Sequence, residues 1–202
     1  MINAKQYGPW ALIAGGSEGV AVSFAHQLAG VGMNLVLVAR RSEPLETLRR
    51  EVVASSGVEV RALSLDLKRP DMLERIREVT DGIEVGLLIF NAGETDSMMG
   101  LFLDRALDDV LAAVRVTTIG QTTLAHHFGS RMARRGRGGI ILVGSLSGNA
   151  GAPKVATYCA AKAYSQILAE ALWCELKPRG ARSSLEHITT MTRAAGPVTP
   201  SP

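Results

Sequence analysis

Tyr158 and Lys162 stand four positions apart and are the residues here best placed to do acid–base chemistry together. On a helix that spacing puts both side chains on one face, with β-carbons about 6 Å apart. A phenol has a reference pKa near 10 and is a poor base at neutral pH. Lowering it by three units takes about 4 kcal/mol of differential stabilisation of the phenolate, part of which a neighbouring ammonium can supply. Ser145 closes a short aliphatic run upstream, at the carboxyl edge of an expected strand, where open α/β sheets bind ligands. Its hydroxyl can hydrogen-bond a carbonyl or alkoxide oxygen and hold it within reach of the phenol's proton. A Tyr and a Lys at this spacing are also an ordinary helix pair, so the weight rests on the combination.

A second group of residues suits phosphate. Ala14-Gly15-Gly16-Ser17-Glu18-Gly19-Val20-Ala21 lies between an aliphatic run and an amphipathic one. A strand, a glycine-rich turn and a helix present free backbone N–H groups and a positive helix end to a pyrophosphate. Gly15 suits the tight turn, Gly19 a close approach to phosphate, and Ala21 packing beneath the strand; Ser17, Glu18 and Val20 complete the loop as candidate cofactor contacts. Nicotinamide proteins choose between cofactors at the end of the second strand, where a carboxylate accepts from ribose hydroxyls and repels an added phosphate. The residues at that point are Ala39-Arg40-Arg41, and guanidinium forks match phosphate oxygens in charge and geometry. NADP is therefore expected in preference to NAD. The competing reading makes both arginines solvated cations at a helix entrance, mildly unfavourable against the dipole.

In order and spacing the glycine turn, Asn91-Ala92-Gly93, Ser145, Tyr158 and Lys162 resemble the short-chain dehydrogenase/reductase family over about residues 7–180. Residues 15–21 are similar to its GxxxGxG turn, residues 91–93 to its NAG motif, and Tyr158 with Lys162 to YxxxK. The resemblance implies an oxidoreductase that moves a hydride between NADP(H) and a small-molecule carbonyl or secondary alcohol. It implies that Tyr158 is the acid–base residue, that Lys162 binds the nicotinamide ribose and lowers the tyrosine pKa, and that Ser145 orients substrate. It further implies that Asp66 and Leu67 line the adenine site, and that Asn91, Ala92 and Gly93 belong to the cofactor site. One departure is Thr117, which takes the place of a family asparagine that helps seat a water linking the lysine to solvent. That change and the divergent carboxyl end motivate an alternative: a dinucleotide-binding protein with little or no catalysis, acting as a regulatory or interaction module.

The elements that must position these residues follow from hydrophobic patterning. Aliphatic runs at 10–14, 34–39, 59–65, 85–91 and 139–144 alternate with longer amphipathic segments at 20–31, 44–55, 70–80, 103–135 and 156–177. That rhythm predicts parallel strands joined by crossover helices, an α/β Rossmann-type doubly wound sheet in a single domain spanning 1–180. Residues 181–202 show no sustained alternation and crowd three prolines into the last six positions. They are expected to be a divergent, flexible tail, with the sixth and seventh strands of the family missing and the fifth strand's edge uncovered.

Composition narrows the class. A length of 202 residues favours one domain over two, since domains average about 150 residues. With 47% apolar and 20% charged residues, wholesale disorder is excluded. The balance of 22 basic against 19 acidic residues is no nucleic-acid footprint. Arg131, Arg134 and Arg135 are expected to close a helix, where cations favour the negative dipole end. No apolar stretch approaches the roughly 18 residues of a membrane span, and residues 1–10 lack a secretion-signal pattern, so a cytoplasmic protein without membrane contact is expected. His126 and His127 are adjacent, point about 100° apart on a helix, and predict no metal site. The resemblance also implies self-association through the two long helices.

Overall fold

The computed structural model describes residues 4–93 and 99–188. Six strands form one wholly parallel sheet: β1 (Trp10–Ala14), β2 (Asn34–Ala39), β3 (Val60–Ser64), β4 (Val85–Phe90), β5 (Gly139–Ser145) and β6 (Arg182–Ile188). Their order is β3-β2-β1-β4-β5-β6, so the winding reverses between β1 and β4. Ligands of open α/β sheets bind at that switch point, outside the carboxyl ends of the strands. β1 and β4 are buried along their whole length, which is why they read as unbroken aliphatic runs rather than alternating ones.

A short helix α1 (Ala4–Tyr7) precedes the sheet. On one face α2 (Val20–Gly30) and α3 (Ser42–Ser56) bury Ala25, Leu28, Leu45 and Val52 against Ile13, Leu35 and Leu37. On the other, α4 (Met72–Thr80), α6 (Gln121–Arg135) and α7 (Ala156–Leu176) bury Ile76, Leu124, Phe128 and Ala169 against Leu12, Leu88 and Phe90. Full burial of each leucine, isoleucine, valine or phenylalanine among them contributes about 1.5–3 kcal/mol. These two apolar layers are what hold the strand ends, and therefore the site, in place.

Two sequence expectations need correction. The segment expected as one long helix over 103–135 is composite. A 3-10 turn (Phe102–Asp104) leads into α5 (Leu107–Val114), a π-helical turn (Arg115–Gly120) and then α6. The sixth strand, expected to be missing, is present. β6 pairs in parallel with all seven residues of β5, from Gly139↔Arg182 to Ser145↔Ile188. The sheet thus runs past residue 180, and β5 has no open edge. Arg182-Ser183-Ser184-Leu185-Glu186-His187-Ile188 carries few apolar residues, and its backbone ladder to β5 sets its place in the sheet. The seventh strand and the rest of the expected tail, 189–202, lie outside the described residues. No helix among the described residues is long and apolar enough to cross a membrane.

Candidate active site

The glycine turn is built by close backbone approach. Gly15 and Gly16 donate from their N–H groups to Val38 O at 2.8 and 3.0 Å, tying the turn to β2. Asn91 and Ala92 donate from their backbone N–H groups to Ala14 O at 2.8 and 2.9 Å, and Asn91 Nδ2 donates to Gly15 O at 3.0 Å. Gly15 has φ +83°, and a β-carbon there would sit 2.5 Å from Ala92 N. Only glycine fits both the conformation and the contact. The Asn91 side chain therefore braces the loop. The loop leads into the N-terminus of α2, which has no acidic residue in its first turn and no side-chain cap, so its end N–H groups remain able to meet an anion.

A crevice of about 510 Å³ opens over the switch point. Gly15, Ser17 and Glu18 line it from the first loop, and Arg40 and Arg41 from the end of β2. Asp66 and Leu67 follow β3, and Asn91, Ala92 and Gly93 follow β4. Ten of the expected cofactor residues thus surround one cavity. Gly19, Val20, Tyr158 and Lys162 do not line it. Ala39, Leu65 and Val116 complete the lining and were not singled out as contacts from sequence; Val116 arrives from the π turn, far along the chain.

Arg40 and Arg41 are not equivalent. Arg41 forms an ion pair with the Glu18 carboxylate across the mouth of the crevice. Each therefore neutralises the other where an anionic ligand would enter. Arg40 lines the crevice and also a neighbouring cleft with Ser64, Asp66, Arg69, Asp71 and Arg75, where Arg69 pairs with Asp71. Ser64 Oγ donates to Arg40 O at 3.0 Å, fixing the backbone there. Asp66 Oδ1 accepts from Lys68 N at 2.9 Å, shaping the turn after β3. Glycines without β-carbons and an uncapped helix end over the crevice fit a nicotinamide dinucleotide.

Ser145, Tyr158 and Lys162 occupy the carboxyl side of β5 and the first turns of α7. Ser145 is half-buried, and its Oγ accepts from Ser147 N at 3.2 Å, opening a 3-10 turn at Leu146–Gly148. That bond uses a lone pair and leaves the hydroxyl proton free to be donated. The turn packs onto α7 so tightly that a β-carbon on Gly148 would lie 2.8 Å from the Lys162 carbonyl carbon. Tyr158 is half-buried, and Lys162 Nζ lies 5.7 Å from its ring centroid. Lys162 is 8% exposed and donates to Val143 O at 2.6 Å. Burial away from water brings its pKa down to about 8. Thr117 sits in the π turn, is buried, and donates its hydroxyl to Ala113 O at 2.6 Å. Its proton is committed, and only its acceptor capacity remains.

Sequence reasoning missed Gln121 and Ser165, which are buried between α6 and α7 with Ser165 Oγ 2.9 Å from Gln121 Oε1. The available signal was periodicity: Gln121 falls on the same helix face as Leu124 and Phe128, a core position holding an amide. His127, expected to hold no metal, stacks edge-on to Phe128 with ring centroids 4.9 Å apart.

The short chain dehydrogenase pattern matches residues 9–199, and the chain belongs to that family. Over 184 residues it is 34% identical to the very-long-chain 3-oxoacyl-CoA reductase of Podospora anserina, covering 88% of this chain and 54% of that protein. A solved structure of a 7beta-hydroxysteroid dehydrogenase superposes with a TM-score of 0.88 at 30% identity, covering 93% of this chain and 71% of that one. A short-chain dehydrogenase from Sphingobium yanoikuyae in complex with NADPH gives a TM-score of 0.83 at 32% identity, covering 89% and 70% of the two chains. The chain spans about half the length of the oxoacyl-CoA reductases it matches.

Proposed function

We propose that this chain is an NADP(H)-dependent oxidoreductase interconverting a ketone and a secondary alcohol. The observation that carries the reading is the placement of Tyr158 and Lys162 on one face of α7, with the Ser145 turn packed against that helix at the carboxyl edge of the sheet. When bound, NADPH supplies the hydride. Gly15, Gly19 and the α2 N-terminus would hold its diphosphate, and Arg40 would take its added phosphate. Asp66 and Leu67 would line the adenine end, and Asn91 keeps the loop in register. Ser145 donates its free hydroxyl proton as a hydrogen bond to the substrate oxygen, which fixes that oxygen beside Tyr158. The Tyr158 hydroxyl then transfers its proton to the oxygen as negative charge develops there. Lys162 has three N–H donors and spends one on Val143 O, leaving two for ribose hydroxyls.

The named relatives act on an oxoacyl-CoA and a hydroxysteroid, both with the reacting carbon set in a large apolar skeleton. An apolar ketone of that kind suits this chain too. The segment leaving β4 exposes Leu101, Phe102, Leu103 and Leu107, and Leu146 next to Ser145 is half exposed. Two copies would associate through the outward faces of α6 and α7, beside which Ile119, Ile167 and Trp173 are exposed. A catalytically silent, dinucleotide-binding module is the second reading, favoured by the commitment of the Thr117 hydroxyl to Ala113 O.

NADPH turnover with a panel of bulky ketones decides between them. Tyr158→Phe should lower kcat by about 10²–10⁴-fold, with NADPH affinity by fluorescence titration unchanged. Tight NADPH binding by the wild-type protein without Tyr158-dependent turnover would establish the silent module instead.

A further inference from the structure

Among the described residues two carboxylates line the crevice, Glu18 from the glycine turn and Asp66 from the segment after β3. Asp66 is turned to its own loop, where Oδ1 accepts from Lys68 N at 2.9 Å and Oδ2 lies 3.6 Å from Lys68 Nζ. Glu18 reaches across the mouth instead, to Arg41. It can do so because the turn hangs from β2. Gly15 and Gly16 both donate to Val38 O, so Glu18, two residues on, meets the chain that leaves β2 through Ala39, Arg40 and Arg41.

A carboxylate at the end of the second strand accepts from the hydroxyls of the adenosine ribose and repels a phosphate added to that ribose. In this chain β2 itself runs into guanidinium groups, which suit the phosphate, and the turn brings a carboxylate to the same point. Arg41 uses only part of that carboxylate. Its two oxygens offer about four acceptor sites, and the side chains of Arg41 and Glu18 are 60% and 62% exposed. Acceptor sites therefore remain for a ligand while Arg41 holds the group in place. Glu18 also cancels the Arg41 charge, and so withholds from an added phosphate one of the two cations that follow β2.

We propose that Glu18 is a cofactor-selecting residue that makes the crevice a site for NAD(H) as well as NADP(H). Its carboxylate stands in for one on β2, accepting from the ribose diol of NAD(H), and it holds down the preference for NADP(H) by neutralising Arg41. The inference rests on the dinucleotide site of the proposed function and is independent of turnover.

The test is fluorescence titration of the full chain with NADH and with NADPH. The wild-type chain should bind both. Glu18→Gln keeps the shape and removes the charge. It should tighten NADPH about threefold to tenfold, because the Arg41 charge is released to the phosphate. It should weaken NADH about fivefold, because a charge-assisted hydrogen bond becomes a neutral one. Glu18→Ala, which leaves no acceptor, should weaken NADH about tenfold. The gain for NADPH should shrink in about 0.5 M salt, where charges this exposed are screened. A ratio of the two affinities that stays in place in both variants would overturn the proposal, as would a wild-type chain that binds NADPH and not NADH. Binding of neither cofactor by the wild-type chain would overturn the dinucleotide site together with it. Opposed shifts in a protein without Tyr158-dependent turnover would uphold the role of Glu18 and overturn only the enzyme reading.

Discussion

Lys162 is the one charged side chain among the described buried residues, and its chemistry follows from that confinement. Burial lowers its pKa from 10.5 to about 8, so between those values the unfolded chain binds more protons than the folded one. Stability therefore rises with pH across the window, and below it the protein bears the cost of a buried cation. The shift corresponds to a gain on the order of 3 kcal/mol. Urea midpoints at pH 7 and pH 10 should show that gain for the wild-type protein and not for Lys162→Met. Arg40 and Arg41 differ for an equally local reason. Arg41 faces Glu18, whereas Arg40 lines both the crevice and the cleft beside it, and this position ties the added phosphate of NADP to Arg40. Arg40→Ala should weaken NADPH binding by about 10–100-fold, the worth of a charge-assisted hydrogen bond, with NADH binding unchanged in the same fluorescence titration. Equal effects on both cofactors would remove Arg40 from that role.

At the level of elements, β6 and the π turn are where chain and pattern part company. β6 holds no run of aliphatic residues, yet it pairs with β5 along seven positions. Its backbone groups find partners whatever the side chains are, and hydrophobic periodicity carries no trace of that. Chain termination after Gly180 should leave the β5 edge unpaired. The expected result is a lower, less cooperative thermal transition and concentration-dependent aggregation by light scattering. The π turn is equally silent in sequence, because 107–135 keeps helical spacing throughout. Within this wide turn Val116 reaches the crevice and Thr117 is buried, and Gln121, which follows it, meets Ser165 of α7. Irregular turns of this kind gather at functional sites.

At the scale of the whole molecule, the most exposed apolar side chains among the described residues lie just before and on α5 and on α7 rather than around α2 and α3. Leu103 is 90% exposed, Leu107 70% and Ile167 64%. Association of two copies over α6 and α7 predicts a dimer by light scattering, converted to a monomer by Ile167→Asp; a wild-type monomer at micromolar concentration would remove that interface. The amino-acid sequence alone determined the five aliphatic strands, the helices joining the first four of them, the glycine turn, and the Tyr158/Lys162 pair. Each of these is a local matter of periodicity or spacing along a few turns of chain. Tertiary structure alone decided that Arg41 faces Glu18, that Asn91 braces Gly15, that β6 pairs with β5, and that Gln121 meets Ser165. Those contacts join residues far apart in sequence, and they exist only once two apolar layers have closed on a parallel sheet and fixed which chain ends meet.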